Sequence, residues 1–229
     1  MRPTRCELML AICDPEAACV GTDDKSPFNA WEWNRAVNPQ SSMLIYIHGF
    51  NSSPASSKAQ LLKAKLEALG RSAEFSAPAL PHSPAQAAVL LDALVARHRG
   101  AVLVGSSLGG YYATYLAEKH GLKAVLLNPA LRPYELLAPL VGRQKNFHTG
   151  EEHDFTTQHV AELRALEVER VIPARYLLIV AKGDEVLDYR RAVERYRGCR
   201  QLVIEGSDHG MSDFADYVDT VLEFCGMAR

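Results

Sequence analysis

The segment Ala101-Val-Leu-Val-Gly-Ser-Ser-Leu-Gly109 is the strongest indication of the fold, because it joins an apolar β-forming run to a helix through the pattern GxSxG. A sharp strand-to-helix turn projects the Ser107 hydroxyl above the sheet, and it closes only if the flanking positions lack side chains. Gly105 and Gly109 supply those positions. A helix is predicted over 108–120, and its free N-terminal N–H groups would favour a developing oxyanion. The stretch therefore predicts a nucleophile elbow that presents Ser107.

Alternating strand and helix signals continue on both sides of this elbow and predict an α/β fold. Strands are expected at 43–48, 73–77, 101–104, 123–127, 176–180 and 202–204, and helices at 57–69, 84–97, 108–120 and about 211–225. Most of the strand segments are continuous apolar runs, which is typical of parallel strands buried on both faces. We expect a mostly parallel sheet of about six strands with helices on both faces, and ligand-binding residues just after the strands. The long polar interval 132–173 is interpreted as a small insertion or lid.

Length and charge limit the number of domains and the kinds of partner. The 229 residues allow one domain with an appendage, which we place at 43–229 for the domain and at 1–42 for an N-terminal extension. The net charge of −2 argues against nucleic acid as the main partner, because backbone binding needs clustered positive charge. Apolar runs stay well short of the roughly 20 residues that cross a bilayer, so no membrane role is expected.

The first 42 residues lack a clear period and admit three interpretations. In the first, they are a loosely attached extension. In the second, translation starts functionally at Met43 and the segment stems from an upstream start codon. In the third, Trp31 and Trp33 pack the segment against the domain. The segment also holds three of the five cysteines. Because the cysteines lack a paired spacing or a CxxC motif, free thiols in a reducing compartment are expected, and the predicted location is the cytoplasm.

A serine nucleophile needs a base and an acid, and after this kind of turn they follow in the order acid, then histidine. Of the eight histidines only His209 follows the last predicted strand, so it is the candidate base. Asp184 comes just after the preceding strand and is the candidate acid. Asp188 is its rival, although an N-cap of the next helix suits Asp188 better. Asp208 ranks last, because it would have to fold back on its neighbour.

Two loops are candidates for the N–H donors of an oxyanion hole. One donor is expected from Leu108, directly after the nucleophile, and the other from the loop after the first core strand. That loop is His48-Gly-Phe-Asn-Ser-Ser-Pro54, and Phe50 is its candidate donor. His48 would then pack beneath the loop and would not act as a base.

An arginine-rich stretch lies late in the chain and has two interpretations. Its members are Arg190, Arg191, Arg195, Arg197 and Arg200. The first interpretation is a solvated helix face. The second is a patch for a phosphate-bearing substrate such as an acyl-CoA.

Five blocks in order resemble the YqiA-like esterase family of α/β-hydrolases. They are IHGFNSSP (47–54), GSSLGGYYAT (105–114), NPALRP (128–133), GDEVLDY (183–189) and VIEG (203–206). The resemblance runs from about residue 43 to the C-terminus, and residues 1–42 have no counterpart. It implies a small bacterial cytoplasmic esterase that acts on short acyl esters and has acyl-CoA thioesterase activity. It places the nucleophile, acid and base on Ser107, Asp184 and His209.

Motifs and resemblance together lead to one functional hypothesis and two alternatives. The hypothesis is a serine hydrolase that cleaves short to medium acyl esters through an acyl-serine intermediate, with a small-molecule substrate, no cofactor and no metal. The first alternative is an acyl-CoA thioesterase. The second is a non-catalytic hydrolase-fold binding protein.

Overall fold

The computed structural model describes residues 43–228, and their elements confirm the predicted α/β fold. The strands are β1 (Leu44–Ile47), β2 (Phe75–Ser76), β3 (Val102–Ser106), β4 (Lys123–Leu127), β5 (Gly142–Lys145), β6 (Glu152–Phe155), β7 (Tyr176–Ala181) and β8 (Arg200–Ile204). The α-helices are α1 (Ser57–Ala68), α2 (Pro84–Arg97), α3 (Leu108–His120), α4 (Pro133–Leu137), α5 (Thr157–Ala165), α6 (Tyr189–Arg195) and α7 (Val218–Phe224). The three interpretations of the N-terminal extension, with Trp31 and Trp33, concern residues outside the described part.

Six strands form one sheet in the order β2-β1-β3-β4-β7-β8, and every neighbouring pair is parallel. The predicted number of strands and their direction are therefore confirmed. Strand β3 is central, with β1 on one side and β4 on the other. Because carboxyl ends of parallel strands meet at one edge, the segments after β1, β3, β4, β7 and β8 converge there.

Both faces of the sheet are buried, as the apolar strand runs predicted. In β1, Ile45 and Ile47 point into the core beneath α2 and α3, whereas Leu44 and Tyr46 point into the core beneath α1 and α7. All four side chains are at most 1% exposed. This two-sided burial fixes the sheet, and therefore the edge at which the candidate residues meet.

The interval 132–173, predicted as a polar insertion, contains both helices and strands. It holds α4, a 3₁₀ turn (Ala138–Leu140), the antiparallel hairpin β5–β6 and α5. Helix α5 starts at Thr157 because the Thr156 hydroxyl accepts from the His159 N–H and the His159 ring accepts from the Thr156 N–H. Whether the interval acts as a lid stays a prediction.

The C-terminal helix begins later than predicted. Met211 has a φ of 52°, a backbone conformation that no helix contains. Phe214–Tyr217 then forms a 3₁₀ turn, and the α-helix starts only at Val218. Among residues 43–228 no helix is both long and apolar enough to cross a membrane.

Candidate active site

The turn after β3 has the strained geometry that GxSxG predicts. Ser107 has φ 53° and ψ −118°, a backbone conformation that residues other than glycine rarely adopt. A Cβ on Gly105 would collide with the Gly109 carbonyl, and a Cβ on Gly109 would collide with the carbonyl of Ile47 in β1. The pattern therefore reflects close backbone approach on both sides of Ser107.

Ser107, His209 and Asp184 meet at the carboxyl edge of the sheet. The Ser107 Oγ lies 3.1 Å from His209 Nε2, and His209 Nδ1 lies 2.9 Å from Asp184 Oδ2. Donation from Nδ1–H to the carboxylate leaves Nε2 free to accept from the serine hydroxyl. The His209 side chain is 21% exposed and that of Asp184 is 2% exposed. The arrangement can therefore pass the serine proton to an imidazole whose far side faces a buried carboxylate.

The surroundings of Asp184 keep its carboxylate ionised. Burial works against ionisation, but the hydrogen bond from His209 and those from the Leu187 and Val186 N–H groups outweigh it. Together they hold the pKa of Asp184 below its ordinary value. Each of the two backbone bonds is 2.8 Å long and ends on Oδ1, which leaves Oδ2 for the histidine.

The two rival acids lie elsewhere. Asp188 caps α6 by accepting from the Arg190 N–H, as the sequence predicted for it. Asp208 accepts from the Ser212 N–H. Of the three aspartates, only Asp184 has a carboxylate oxygen within hydrogen-bond distance of the His209 ring.

The loop after β1 lies against the nucleophile turn. A Cβ on Gly49 would lie 3.3 Å from the Ser107 Cβ, so the loop backbone passes directly beside the serine. Phe50 and Leu108 both line a small cavity of about 50 Å³. Within residues 43–228 neither the Phe50 N–H nor the Leu108 N–H donates a hydrogen bond, so both are free for a ligand oxygen.

His48 lies beneath this loop and is 6% exposed. Its Nδ1 lies 3.0 Å from the Gly49 carbonyl oxygen, and its Nε2 accepts from the Leu80 N–H at 3.4 Å. Burial lowers the pKa of His48, against the opposing effect of the Gly49 carbonyl. The ring therefore ties two backbone segments together and stays uncharged.

Three residues to which the sequence analysis gave no role fix the His209 loop. The Asn128 amide donates to the Asp208 and His209 carbonyls at 3.1 and 3.2 Å, and its oxygen accepts from the Ala181 N–H at 2.9 Å. Lys58 is 8% exposed and donates to the Gly210 carbonyl. Glu185 accepts from the His209 N–H at 3.0 Å. The position of Asn128 directly after a strand weakly indicated a role at the site, whereas nothing in the sequence indicated one for Lys58 in α1.

The β5–β6 hairpin packs on the loop after β1. The Phe147 N–H donates to the Asn51 carbonyl, and the Asn146 amide donates to the Ser52 carbonyl, each at 2.8 Å. The Phe155 ring meets the Phe50 ring edge to face at 5.2 Å. The insertion therefore supports the segment that carries one of the two free N–H groups.

Known proteins are similar to this chain in sequence or in fold. The profile described as "Uncharacterised protein family (UPF0227)" matches residues 43–226. The UPF0227 protein YcfP of Salmonella paratyphi A is 23% identical over 186 residues, covering 80% of this chain and 98% of its own. Est1E from Butyrivibrio proteoclasticus superposes with a TM-score of 0.63 at 17% identity, covering 83% of this chain and 91% of its own. Mouse alpha/beta hydrolase domain-containing protein 10 superposes with a TM-score of 0.59 at 15% sequence identity, covering 79% of this chain and 89% of its own.

The parallel sheet, the elbow and the converging loops define an α/β-hydrolase fold with a serine, a histidine and an aspartate in contact. The chain belongs to the UPF0227 family. The predicted kinship with YqiA-like proteins is thereby confirmed.

Proposed function

We propose that the chain is a serine hydrolase that cleaves short to medium acyl esters through an acyl-serine intermediate. The observation that carries this proposal is the pair of contacts on His209, one to Ser107 and one to Asp184. An ionised aspartate behind the ring and an accepting nitrogen in front of it are what a general base for serine requires.

The first half of the reaction transfers the acyl group to the enzyme. Ser107 Oγ attacks the acyl carbon while His209 Nε2 takes its proton, and Asp184 stabilises the imidazolium that forms. The N–H groups of Phe50 and Leu108 would hold the tetrahedral oxyanion. Collapse breaks the bond to the leaving group, which departs with the proton from His209.

The second half returns the enzyme to its starting state. A water molecule attacks the acyl-serine carbon and gives a proton to His209. The second tetrahedral species collapses, the acid leaves, and Ser107 regains its proton. Neither half requires a metal or a cofactor.

The small cavity beside Phe50 and Leu108 supports a short acyl group. Phe50, Tyr112 and Phe155 line its apolar side, and its volume of about 50 Å³ holds few non-hydrogen atoms. We also propose that the interval 132–173 is a lid, because His153 and Phe155 of its hairpin line this cavity.

Hydrolysis of 4-nitrophenyl esters from acetate to palmitate tests the proposal. We expect Ser107-dependent turnover that is highest for the shortest chains, and its loss in Ser107→Ala with the unfolding curve unchanged. Phenyl thioacetate against phenyl acetate separates the thioester from the ester preference. Absence of Ser107-dependent turnover on every ester and thioester would overturn the proposal in favour of a binding protein.

A further inference from the structure

A second, larger cavity has none of Ser107, Asp184 and His209 among its lining residues. Its volume is about 840 Å³, which is in the range of sites for nucleotide-sized or drug-sized ligands. Its walls are Tyr111 and Thr114 of α3, the segment 130–132 after β4, the loop 167–169, and one face of α6. The function proposed above assigns nothing to this space.

Four guanidinium groups line the cavity, and two of them are already neutralised. Arg132 pairs with Glu135 at 3.2 Å and with Glu167 at 3.6 Å. Arg190 pairs with Asp188 at 3.5 Å. These arginines therefore contribute little unbalanced charge to the space.

The other two guanidinium groups carry no carboxylate partner. Arg195 donates to the Val168 and Glu169 carbonyls and so holds the loop that forms one wall. The Arg191 side chain has no ion pair or hydrogen bond within residues 43–228. Two positive groups thus face a space in which Glu169 is the single acidic side chain without an ion pair among the described residues.

A smaller cavity of about 130 Å³ lies next to this space, near the carboxyl edge of the sheet. The two cavities share Leu131, Arg132 and Arg191, so these residues stand at their junction. The smaller cavity is also lined by Leu187, whose N–H donates to Asp184, and by Pro129, which contacts the nucleophile helix at Gly110. The smaller cavity therefore borders both the arginine-lined space and the loop that carries Asp184.

We propose that the two cavities bind the leaving-group half of the substrate, and that Arg191, whose guanidinium has no carboxylate partner among residues 43–228, binds a phosphate group on it. A guanidinium offers paired donors that match two phosphate oxygens, which gives both affinity and orientation. The short acyl group then lies against Phe50 and Leu108, and the larger phosphorylated half lies in the arginine-lined space. The direction of the substrate rests on the proposed function, whereas the phosphate site does not.

Calorimetric titration of the full chain with inorganic pyrophosphate at low ionic strength tests the phosphate site. We expect saturable binding of one pyrophosphate, weakened about tenfold or more in Arg191→Gln because a charge-assisted pair is lost. Arg200→Gln is the matched control, since Arg200 is an exposed arginine of the same stretch that lines neither cavity. Absence of saturable binding, or equal binding by Arg191→Gln, would overturn the site.

Kinetics with 4-acetoxyphenyl phosphate and with 4-acetoxyphenol test the direction of the substrate. We expect Arg191→Gln to raise KM about tenfold for the phosphate ester alone, while Arg200→Gln changes neither KM. Equal effects on both esters would contradict the assignment of the phosphate to the leaving group. If the proposed function is wrong, turnover will persist in Ser107→Ala. The pyrophosphate titration can still be interpreted in that case, because it measures binding and not turnover.

Discussion

Replacement of Asn128 by alanine should lower both stability and activity, although Ser107, Asp184 and His209 all stay in place in the sequence. The Asn128 side chain is buried and joins the end of β7 to the Asp208–His209 backbone through three hydrogen bonds. Each such bond contributes about 1 kcal/mol, so their loss should lower the free energy of unfolding by about 3 kcal/mol. A positive φ of 41° at this position adds to the cost, because alanine tolerates it less well than asparagine.

The same change should slow turnover, because the His209 loop loses its tie to the sheet. A displacement of about 1 Å between His209 Nε2 and Ser107 Oγ corresponds to roughly 10²-fold in kcat. KM for 4-nitrophenyl acetate should change little, since Asn128 does not line the acyl cavity. Urea unfolding gives the stability, and steady-state kinetics under conditions where the variant is folded give kcat and KM.

Gln201→Ala is the matched control for this prediction. The Gln201 amide also donates to two backbone carbonyls, those of Val193 and Tyr196, but it makes no contact with the His209 loop. It should lose about 2 kcal/mol of stability and keep its kcat. An Asn128→Ala variant with the kcat of the parent chain would show that Asn128 does not position His209.

Three further predictions follow from the site and its surroundings. Asp184→Asn should lower kcat by about 10⁴-fold, as in serine proteases. Asp188→Asn should lower the free energy of unfolding by only about 1 kcal/mol, because it weakens the N-cap of α6. A larger loss of kcat for Asp188→Asn would show that Asp188 is the catalytic acid. Gly109→Ala should abolish soluble folded protein, because its Cβ would collide with the Ile47 carbonyl, and a normal unfolding transition would contradict this close approach. The folded chain holds the pKa of His48 below its ordinary value of 6.5, so the folded chain binds fewer protons than the unfolded chain. The free energy of unfolding should therefore fall as pH drops below about 6.5, by up to about 1.4 kcal/mol per pH unit. In His48→Gln the free energy of unfolding should fall less steeply with pH, and an equal slope would contradict this role of His48.

Local signals account for the parts of the fold that the sequence predicted correctly. Strands β1, β3, β4 and β7 are largely apolar and buried, and a glycine or an asparagine lies within two residues of the end of each. The elbow was readable because Gly105 and Gly109 are required by steric contacts within a few residues of Ser107 and with the neighbouring strand. Asp184 and His209 followed from their order along the chain, and the structure places His209 in contact with Ser107 and Asp184 in contact with His209.

Features that depend on distant contacts were missed. Strands β5 and β6 are mostly exposed and polar, so they lack the alternating apolar pattern of a half-buried strand, and only Phe155 is buried. The late start of α7 follows from the positive φ of Met211, for which a methionine gives no local signal. Lys58 and Asn128 reach the His209 loop across large separations along the chain, which a single sequence does not reveal.

The most direct test of the acyl-serine mechanism is the intact mass of the chain after incubation with paraoxon, which phosphorylates activated serines. We predict one diethylphosphoryl group per chain, located on Ser107 by peptide mapping and absent from Ser107→Ala. His209→Gln, which keeps a polar side chain but removes the base, should react far more slowly. An unmodified parent chain, or equal labelling of Ser107→Ala, would contradict the account.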